Sequence, residues 1–317
     1  MTDKNEYTLR KAFTETLLEL ALKDKNIIVI TSDATGSTTL DDFKKALPEQ
    51  FVETGIAEQN AVGVAGGMGL NGKKLFVCSP GPFLSTRALE QIKLDVAYNE
   101  ANVKLIAISS GISYGALGYS HHAIHDLAVT RALVGLNVLV PCDAPQMRAL
   151  TRILLCDEKP AYIRIGRGPV PDVYSEGKAF CEIGKAPTLH EGRDIAILAI
   201  GEMVAPALDA AKLLAEKGIH ARVHDMFSLK PMDIGAVINA AQDCKLILTV
   251  EEHGPYGGLG GAVSEVVATH YPVKMKIMAL PDTPLINGES EQVLSYYKLN
   301  AKGIASGALE LLEKESV

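Results

Sequence analysis

One carboxylate stands at the start of a segment that is otherwise apolar and rich in glycine. Glu58 lies within ETGIAEQNAVG, and most residues after it are small or apolar. Burial of a carboxylate is costly unless the group is paired or used in chemistry. An acid in the first turn of a helix gains about 0.3–1 kcal/mol from the helix dipole, so a purely structural role is an equally good interpretation. The neighbouring glycines favour close approach of another backbone or a ligand, and they are Gly55, Gly63, Gly66, Gly67 and Gly69.

Histidines and arginines occur in two other loops. His121 belongs to GISYGALGYSHHAIHD, a glycine-rich loop in which a histidine suits proton transfer or hydrogen bonding to a polar substrate. His121 and His125 have the i, i+4 spacing of a metal pair, but no third ligand accompanies them. Arg164 and Arg167, in YIRIGRGP, are either a solvated pair or a site that captures an anion.

The elements that position these residues form an alternating pattern. Apolar runs such as NIIVITSD, KLFVCS, VKLIAIS and PAYIRIG alternate with helical patterns, which predicts mostly parallel sheets covered on both faces. Ligands bind at the carboxyl ends of the strands in such sheets. A stretch with several prolines and glycines interrupts the alternation, which then resumes. We predict an α/β fold with two three-layer domains, residues 1–165 and 190–317, joined by a linker over 166–189.

Composition excludes several classes of protein. Hydrophobic residues make up 47% and charged residues 22%, as in a globular protein, and the net charge of −7 argues against nucleic acid or an anionic membrane as a partner. The five cysteines are scattered without a C-x-x-C pair, which indicates reduced, buried thiols. No apolar run reaches the roughly 18 residues of a membrane span, and the polar N-terminus lacks a signal-peptide core. We expect a cytoplasmic protein.

Several motifs taken together resemble one known family. The runs ETGIAEQNAVGVAGGMGLNGKKLFV, PFLSTRALEQIKLDVAY, NVLVPCDAP and YIRIGRGPVP, with the histidine loop, are similar to the C-terminal half of a transketolase. Nearly the whole chain resembles the small subunit of a split bacterial transketolase. The resemblance implies a pyrimidine-binding domain followed by a transketolase C-terminal domain. It also implies transfer of a two-carbon ketol unit from a ketose phosphate to an aldose, with thiamine diphosphate as cofactor.

The same resemblance implies roles for five side chains. Glu58 would hydrogen-bond the aminopyrimidine ring nitrogen of the cofactor, and Phe83 would pack against that ring. His121 would lie near the substrate hydroxyls. Arg10 and Arg167 match positions that hold the sugar phosphate. The resemblance implies no metal ligand in this chain.

Four positions depart from the family pattern. Where transketolases usually have G-E-D-G-P-T-H-Q, this chain has GALGYSHH, so that Leu117 replaces an acid that contacts a substrate hydroxyl. Ser109 stands in place of a histidine that contacts phosphate. Thr86 and Leu89 stand where further aromatics often line the pyrimidine pocket. These departures favour an unusual ketose or acceptor aldehyde.

A missing motif predicts a partner. In the family, a G-D-G motif followed by an asparagine anchors the diphosphate through Mg²⁺, and this chain contains no G-D-G. We therefore predict an N-terminal transketolase subunit that holds Mg²⁺ and the diphosphate, in an α₂β₂ heterotetramer with active sites between unlike chains. Three alternatives stay open at this point: the β subunit of a 2-oxo-acid dehydrogenase, half of a deoxyxylulose-phosphate synthase, and a regulatory subunit that retains the fold.

Overall fold

The computed structural model describes residues 6–313, in which two α/β units follow one another. The strands are β1 (Glu6–Thr8), β2 (Ile27–Thr31), β3 (Phe51–Glu53), β4 (Lys74–Pro80), β5 (Val103–Ile108), β6 (Asn137–Leu139), β7 (Ala161–Arg164), β8 (Pro169–Pro171), β9 (Thr188–His190), β10 (Ile195–Ala199), β11 (Ala221–Asp225), β12 (Ser228–Lys230), β13 (Leu246–Val250) and β14 (Lys274–Met278). The helices are α1 (Leu9–Ala21), α2 (Asp41–Ala46), α3 (Glu58–Leu70), α4 (Gly81–Arg87), α5 (Leu89–Gln91), α6 (Asp126–Arg131), α7 (Ala144–Cys156), α8 (Val204–Ala215), α9 (Ile234–Cys244), α10 (Leu259–His270), α11 (Ser290–Tyr296) and α12 (Ala301–Glu313). A π-helical segment, Ile92–Tyr98, continues from α5.

The first unit is built on a seven-stranded sheet with the order β12-β6-β7-β5-β4-β2-β3. Its neighbours pair in parallel, except that β12 runs antiparallel to β6. Alternate residues of β2 enter two different cores: Ile28 and Ile30 pack on the side of α3, and Ile27 and Val29 pack on the side of α1 and α7. A strand that is apolar on both faces is what a sheet between two helical layers requires. The predicted three-layer fold is confirmed here.

The second unit repeats this architecture with a smaller sheet. Five strands lie in the order β14-β13-β10-β11-β9, and β9 is antiparallel to β11. Apolar side chains of α8 and α12 pack on one face, and those of α9 and α10 pack on the other. No helix within residues 6–313 has the length and apolar character needed to cross a membrane.

Strand β12 connects the two units, because it comes from the second half of the chain and pairs in the first sheet. Ser228 and Lys230 lie opposite Leu139 and Val138 of β6. One apolar cluster also runs through both sheets without a break. Within the predicted linker 166–189, strand β8 pairs with β1. The limits 1–165 and 190–317 stay a prediction from sequence.

Helix α3 begins at Glu58, after a turn in which Gly55 takes a positive φ of 70°. Its two central glycines have opposite surroundings. A Cβ on Gly66 would lie 2.6 Å from the backbone oxygen of Asp95 in the π-helical segment, so glycine permits the close packing of these two helices. A Cβ on Gly67 would meet nothing within 4 Å.

Candidate active site

Glu58 is a buried carboxylate with one cationic neighbour. It is the first residue of α3, and only 4% of it is exposed. The Nη1 group of Arg87 lies 3.2 Å from Oε1 and 3.3 Å from Oε2 of Glu58. Arg87 ends α4, and 49% of its side chain is exposed. Glu58 was predicted from the sequence, whereas the arginine that balances its charge was not.

Phe83 lies one helical turn before Arg87 in α4 and contacts the same guanidinium. The Cζ atom of Arg87 is 4.1 Å from the centroid of the Phe83 ring, within the range of a cation–π interaction. The i, i+4 spacing of the two residues is a signal from which this contact could have been predicted. No sequence signal links Arg87 to Glu58, because α3 and α4 meet only in the fold.

The rings of Phe83, His121 and Tyr114 lie next to one another in a row. The rings of Phe83 and His121 lie 5.3 Å apart and are inclined at 70°, and those of His121 and Tyr114 lie 5.6 Å apart at 76°. Such edge-to-face contacts are favourable for aromatic rings. Arg167 then donates a 2.8 Å hydrogen bond to the Tyr114 hydroxyl. Tyr114 is a further residue that sequence reasoning missed, and its place in the loop of His121 is the one available signal.

The row ends at two arginines. Arg10 donates a 2.8 Å hydrogen bond from Nη2 to the backbone oxygen of Arg167 and a 2.5 Å bond from Nη1 to that of Ser37. Its Nε atom is buried without a hydrogen-bond partner among the described residues. Burial, and then the nearby Arg167 guanidinium, lower the pKa of Arg10. Two neighbouring guanidinium groups with a spare N–H donor suit the binding of an anion.

The structure thus brings all five predicted site residues into one continuous row of contacts. In order, the row consists of Glu58, Arg87, Phe83, His121, Tyr114, Arg167 and Arg10. The elements that supply them are the amino ends of α1 and α3, helix α4, the loop after β5 and the turn after β7. A carboxylate therefore lies at one end of the row and two arginines lie at the other.

Arg164 has a different role from its neighbour Arg167. It is buried, and its Nε atom donates a 3.0 Å hydrogen bond to Asp126 while Nη2 donates a 2.7 Å bond to the backbone oxygen of Glu252. Tyr162 donates a further 3.0 Å bond to Asp126. Neither sequence interpretation of Arg164 holds, since the residue is neither solvated nor free to capture an anion.

The loop that carries His121 rests on the second unit. Glu252, which follows β13, accepts a 2.7 Å hydrogen bond from the backbone N–H of Ile112 in this loop. The Ser290 hydroxyl donates a 2.9 Å bond to the backbone oxygen of the same residue. The C-terminal unit therefore helps to fix the position of His121, although it lies far away along the chain.

The departures from the family pattern differ in accessibility. Leu117 is 57% exposed in the loop of His121. Ser109 is fully buried, and its hydroxyl has no hydrogen-bond partner among the described residues. Thr86 is exposed on α4, where its hydroxyl bonds to the helix backbone, and Leu89 is partly buried in α5. Of these residues, Leu117 has the most exposed apolar side chain.

The histidine pair is not formed on a helix. His121 ends a short 3₁₀ turn and His125 precedes α6, so the two side chains do not lie on successive turns of one helix. Among residues 6–313, no group of three histidine, cysteine, aspartate or glutamate side chains is placed to hold a metal ion.

The Glu58 end of the row suits a flat, nitrogen-bearing ring. The guanidinium of Arg87 is itself flat; its Cζ atom lies over the Phe83 ring, and its Nη1 group donates to the Glu58 carboxylate. A pyrimidine ring with a protonated edge nitrogen would make the same two contacts. The ring implied by the family resemblance therefore fits these residues, and the arginines fit a phosphate.

Two domain families match the chain in succession. The first is described as "Transketolase, pyrimidine binding domain" and matches residues 5–172, and the second is "Transketolase, C-terminal domain" and matches residues 184–304. A protein of Phocaeicola vulgatus that is named as an apulose-4-phosphate transketolase subunit is 48% identical, over 98% of this chain and 99% of that protein. A protein of Clostridium sp. that is named as a 6-deoxy-6-sulfo-D-fructose transketolase subunit is 35% identical, over 98% of this chain and 96% of that protein. A solved structure described as "Split gene transketolase, inactive beta4 tetramer" has a TM-score of 0.88 and 40% identity, over 96% of this chain and 98% of that one.

Proposed function

This chain belongs to the transketolase family, and we propose that it is the C-terminal subunit of a two-chain transketolase. It transfers a two-carbon ketol unit from a ketose phosphate to an aldose, with thiamine diphosphate bound between this chain and its partner. The observation that carries the proposal is the continuous row from Glu58 to Arg10. It provides a proton partner at one end, an anion site at the other and a histidine between them.

Each side chain has a defined part in the reaction. When bound, thiamine diphosphate supplies the covalent chemistry of the transfer. Glu58 holds a proton at the pyrimidine ring nitrogen, and Phe83 fixes the plane of that ring. His121 exchanges a proton with a substrate hydroxyl. Arg167 and Arg10 orient the substrate through its phosphate, which the forked guanidinium geometry matches.

We propose that an N-terminal partner subunit binds the diphosphate and Mg²⁺, and that it forms an α₂β₂ assembly with this chain. The absence of a G-D-G motif in this chain supports that division. Two related proteins are named as subunits, and the solved relative is described as an inactive beta4 tetramer. The open surface at Gly67 gives the partner a place to pack on the helix that begins with Glu58.

Apulose 4-phosphate is the first donor to test, because the relative that is 48% identical is named for it. The second is 6-deoxy-6-sulfofructose, after the relative that is 35% identical. A sulfonate and a phosphate are both anions, and both suit the pair Arg10 and Arg167. The exposed apolar side chain of Leu117 also favours a donor other than the common ketose phosphates.

The test is an assay of the reconstituted complex. The chain is mixed with an N-terminal subunit that bears G-D-G, with thiamine diphosphate and with Mg²⁺, and each donor is offered with an aldose acceptor. We expect consumption of a ketose phosphate together with extension of the aldose by two carbons. Condensation of pyruvate with an aldehyde would instead support a deoxyxylulose-phosphate synthase, and oxidation of a 2-oxo acid would support a dehydrogenase subunit. Full turnover by the partner alone would support a regulatory role.

A further inference from the structure

We propose that Arg87 occupies the pyrimidine subsite of the free subunit and has to leave it before the cofactor binds. The inference rests on the proposed function, which assigns Glu58 and Phe83 to the pyrimidine ring. Arg87 Nη1 lies 3.2 Å and 3.3 Å from the two Glu58 oxygens, and its Cζ atom lies 4.1 Å from the Phe83 centroid. One side chain therefore makes both contacts that the cofactor needs.

The arginine and the ring cannot be present together. A separation of 4.1 Å between Arg87 Cζ and the Phe83 centroid is about the optimal distance between two carbon atoms in contact, so no second flat group fits between them. His121 already lies edge-on against the same phenylalanine, at 5.3 Å between ring centroids. Binding of a ring on the face that Arg87 covers therefore requires the guanidinium to move.

The contact of Arg87 with Glu58 is weak enough for such a movement. A single nitrogen approaches both carboxylate oxygens at 3.2 Å and 3.3 Å, longer than the about 2.7–2.9 Å of good charge-assisted bonds. By contrast, Arg131 forms two parallel bonds of 2.8 Å to Glu265 from two different nitrogens. The Arg87 side chain is also 49% exposed, so it can rotate into solvent without disturbing the core.

Arg87 is therefore a positioning residue that acts in the free subunit. The Glu58 carboxylate is 4% exposed and would be an uncompensated buried charge without a partner. Arg87 supplies that partner until the pyrimidine ring replaces it. The free energy needed to displace the arginine is subtracted from the free energy of cofactor binding, so this subunit itself limits how tightly the complex holds thiamine diphosphate.

The experiment is a calorimetric titration of thiamine diphosphate, with Mg²⁺, into the reconstituted two-chain complex. Four forms of this chain are compared: wild type, Arg87→Ala, Arg87→Lys and Arg152→Ala. Arg152 is the matched control, because its side chain is also 49% exposed and also pairs with a glutamate, Glu19, on the α1 face. We expect Arg87→Ala to lower Kd about tenfold, equal to about 1.4 kcal/mol. Arg87→Lys keeps the charge without the flat face and should lower Kd less, and Arg152→Ala should leave it unchanged.

A second measurement does not depend on the cofactor. Thermal unfolding of the isolated chain should give a lower Tm for Arg87→Ala than for wild type. Addition of Glu58→Gln to that variant should restore most of the loss, because a neutral amide needs no counter-charge.

The outcomes separate this inference from the proposed function. Equal or weaker cofactor binding by Arg87→Ala, in a complex whose wild type binds thiamine diphosphate, would overturn the role of Arg87 alone. An unchanged Tm for that variant would overturn its pairing with Glu58. If the wild-type complex bound no thiamine diphosphate, the proposed function itself would fail, and the unfolding measurement would still report on the pair.

Discussion

The Tyr114 hydroxyl accepts a 2.8 Å hydrogen bond from the Arg167 guanidinium, and the Cζ atom of that arginine lies 4.8 Å from the centroid of the same tyrosine ring. The tyrosine therefore holds the arginine through both its hydroxyl and its ring. Neither contact neutralises the guanidinium charge. Arg167 is thus oriented by a tyrosine, as its proposed role in binding a substrate anion requires.

Replacement of Tyr114 by phenylalanine should weaken substrate binding. Tyr114→Phe keeps the ring and removes the hydrogen bond to Arg167, which is worth about 1 kcal/mol. We expect KM for the phosphorylated donor to rise about fivefold, with kcat little changed because the Glu58 end of the row is untouched. Steady-state kinetics of the reconstituted complex provide the measurement, with Tyr271→Phe in the C-terminal unit as control. A fall in kcat at unchanged KM would contradict the assignment.

Replacement of Glu58 by glutamine should abolish most turnover. Glu58→Gln keeps the size of the side chain but removes the carboxylate that holds the proton at the pyrimidine ring. We expect kcat to fall by about 10²–10⁴-fold, as for loss of a general acid–base group. Native mass spectrometry should show an intact complex, and the exposed Glu49→Gln should behave as wild type. Undiminished turnover of Glu58→Gln would favour the regulatory alternative.

Alanine at two adjacent glycines of α3 should have opposite effects on the isolated chain. Gly66→Ala would bring a Cβ within 2.6 Å of the Asp95 oxygen, and we expect it to lower the free energy of unfolding by about 1–3 kcal/mol. Gly67→Ala faces open space and should raise it by about 0.5–1 kcal/mol, because alanine favours the helix. Chemical denaturation measures both changes.

The Gly67 variant also tests the position of the partner. If the N-terminal subunit packs on this part of α3, Gly67→Ala should weaken association of the two chains although it stabilises this one. Analytical ultracentrifugation of the mixed subunits gives the dissociation constant. Unchanged association would place the partner on another surface.

Asp225 should make stability depend on pH. Burial raises its pKa to about 6, against hydrogen bonds from Tyr174 and Gln146 that lower it. Between about pH 4 and pH 6 the folded chain binds a proton at Asp225, whereas the unfolded chain, with a pKa of about 4, has largely lost it. The contribution of this group to the free energy of unfolding is therefore full below pH ~4 and is lost as the pH rises through 6.

The corresponding variant is Asp225→Asn, which keeps an acceptor for Tyr174 and Gln146 and removes the charge. We expect it to be more stable than wild type by about 1–3 kcal/mol at pH 7.5, with the difference vanishing near pH 4. Denaturation curves at several pH values measure the difference, and Asp282→Asn, at an exposed site, is the control. A difference that did not change with pH would contradict the role of Asp225.

The sheets could be predicted because their central strands are buried on both faces. β2 and β10, with the sequences IIVIT and IAILA, are buried at every position, so apolar runs identify them directly. β12 could not be found in this way, since SLK is three residues long and shows no periodicity. What places it is the exposed edge of β6, which belongs to the other half of the chain.

Some residues of the site could likewise be recognised from their own segment of the sequence, and others only from contacts between elements. Glu58 was found because an acid beside apolar glycines is unusual within its own segment. His121 was selected from its glycine-rich loop, and the role of Phe83 came from the family resemblance. Arg87 and Tyr114 were missed because the groups they contact, Glu58 and Arg167, lie on other elements. Contacts between elements depend on packing, which a single sequence does not display.

The pairing of β12 with β6 limits where the gene for this chain could be divided. Without it, β6 would present a row of unpaired backbone groups, and an open strand of this kind recruits other chains into aggregates. A gene break anywhere between β8 and β12 would produce one fragment with an open edge and another with an orphan strand. Two such fragments would have to pair β12 with β6 again to complete the seven-stranded sheet, a step that a single chain does not require.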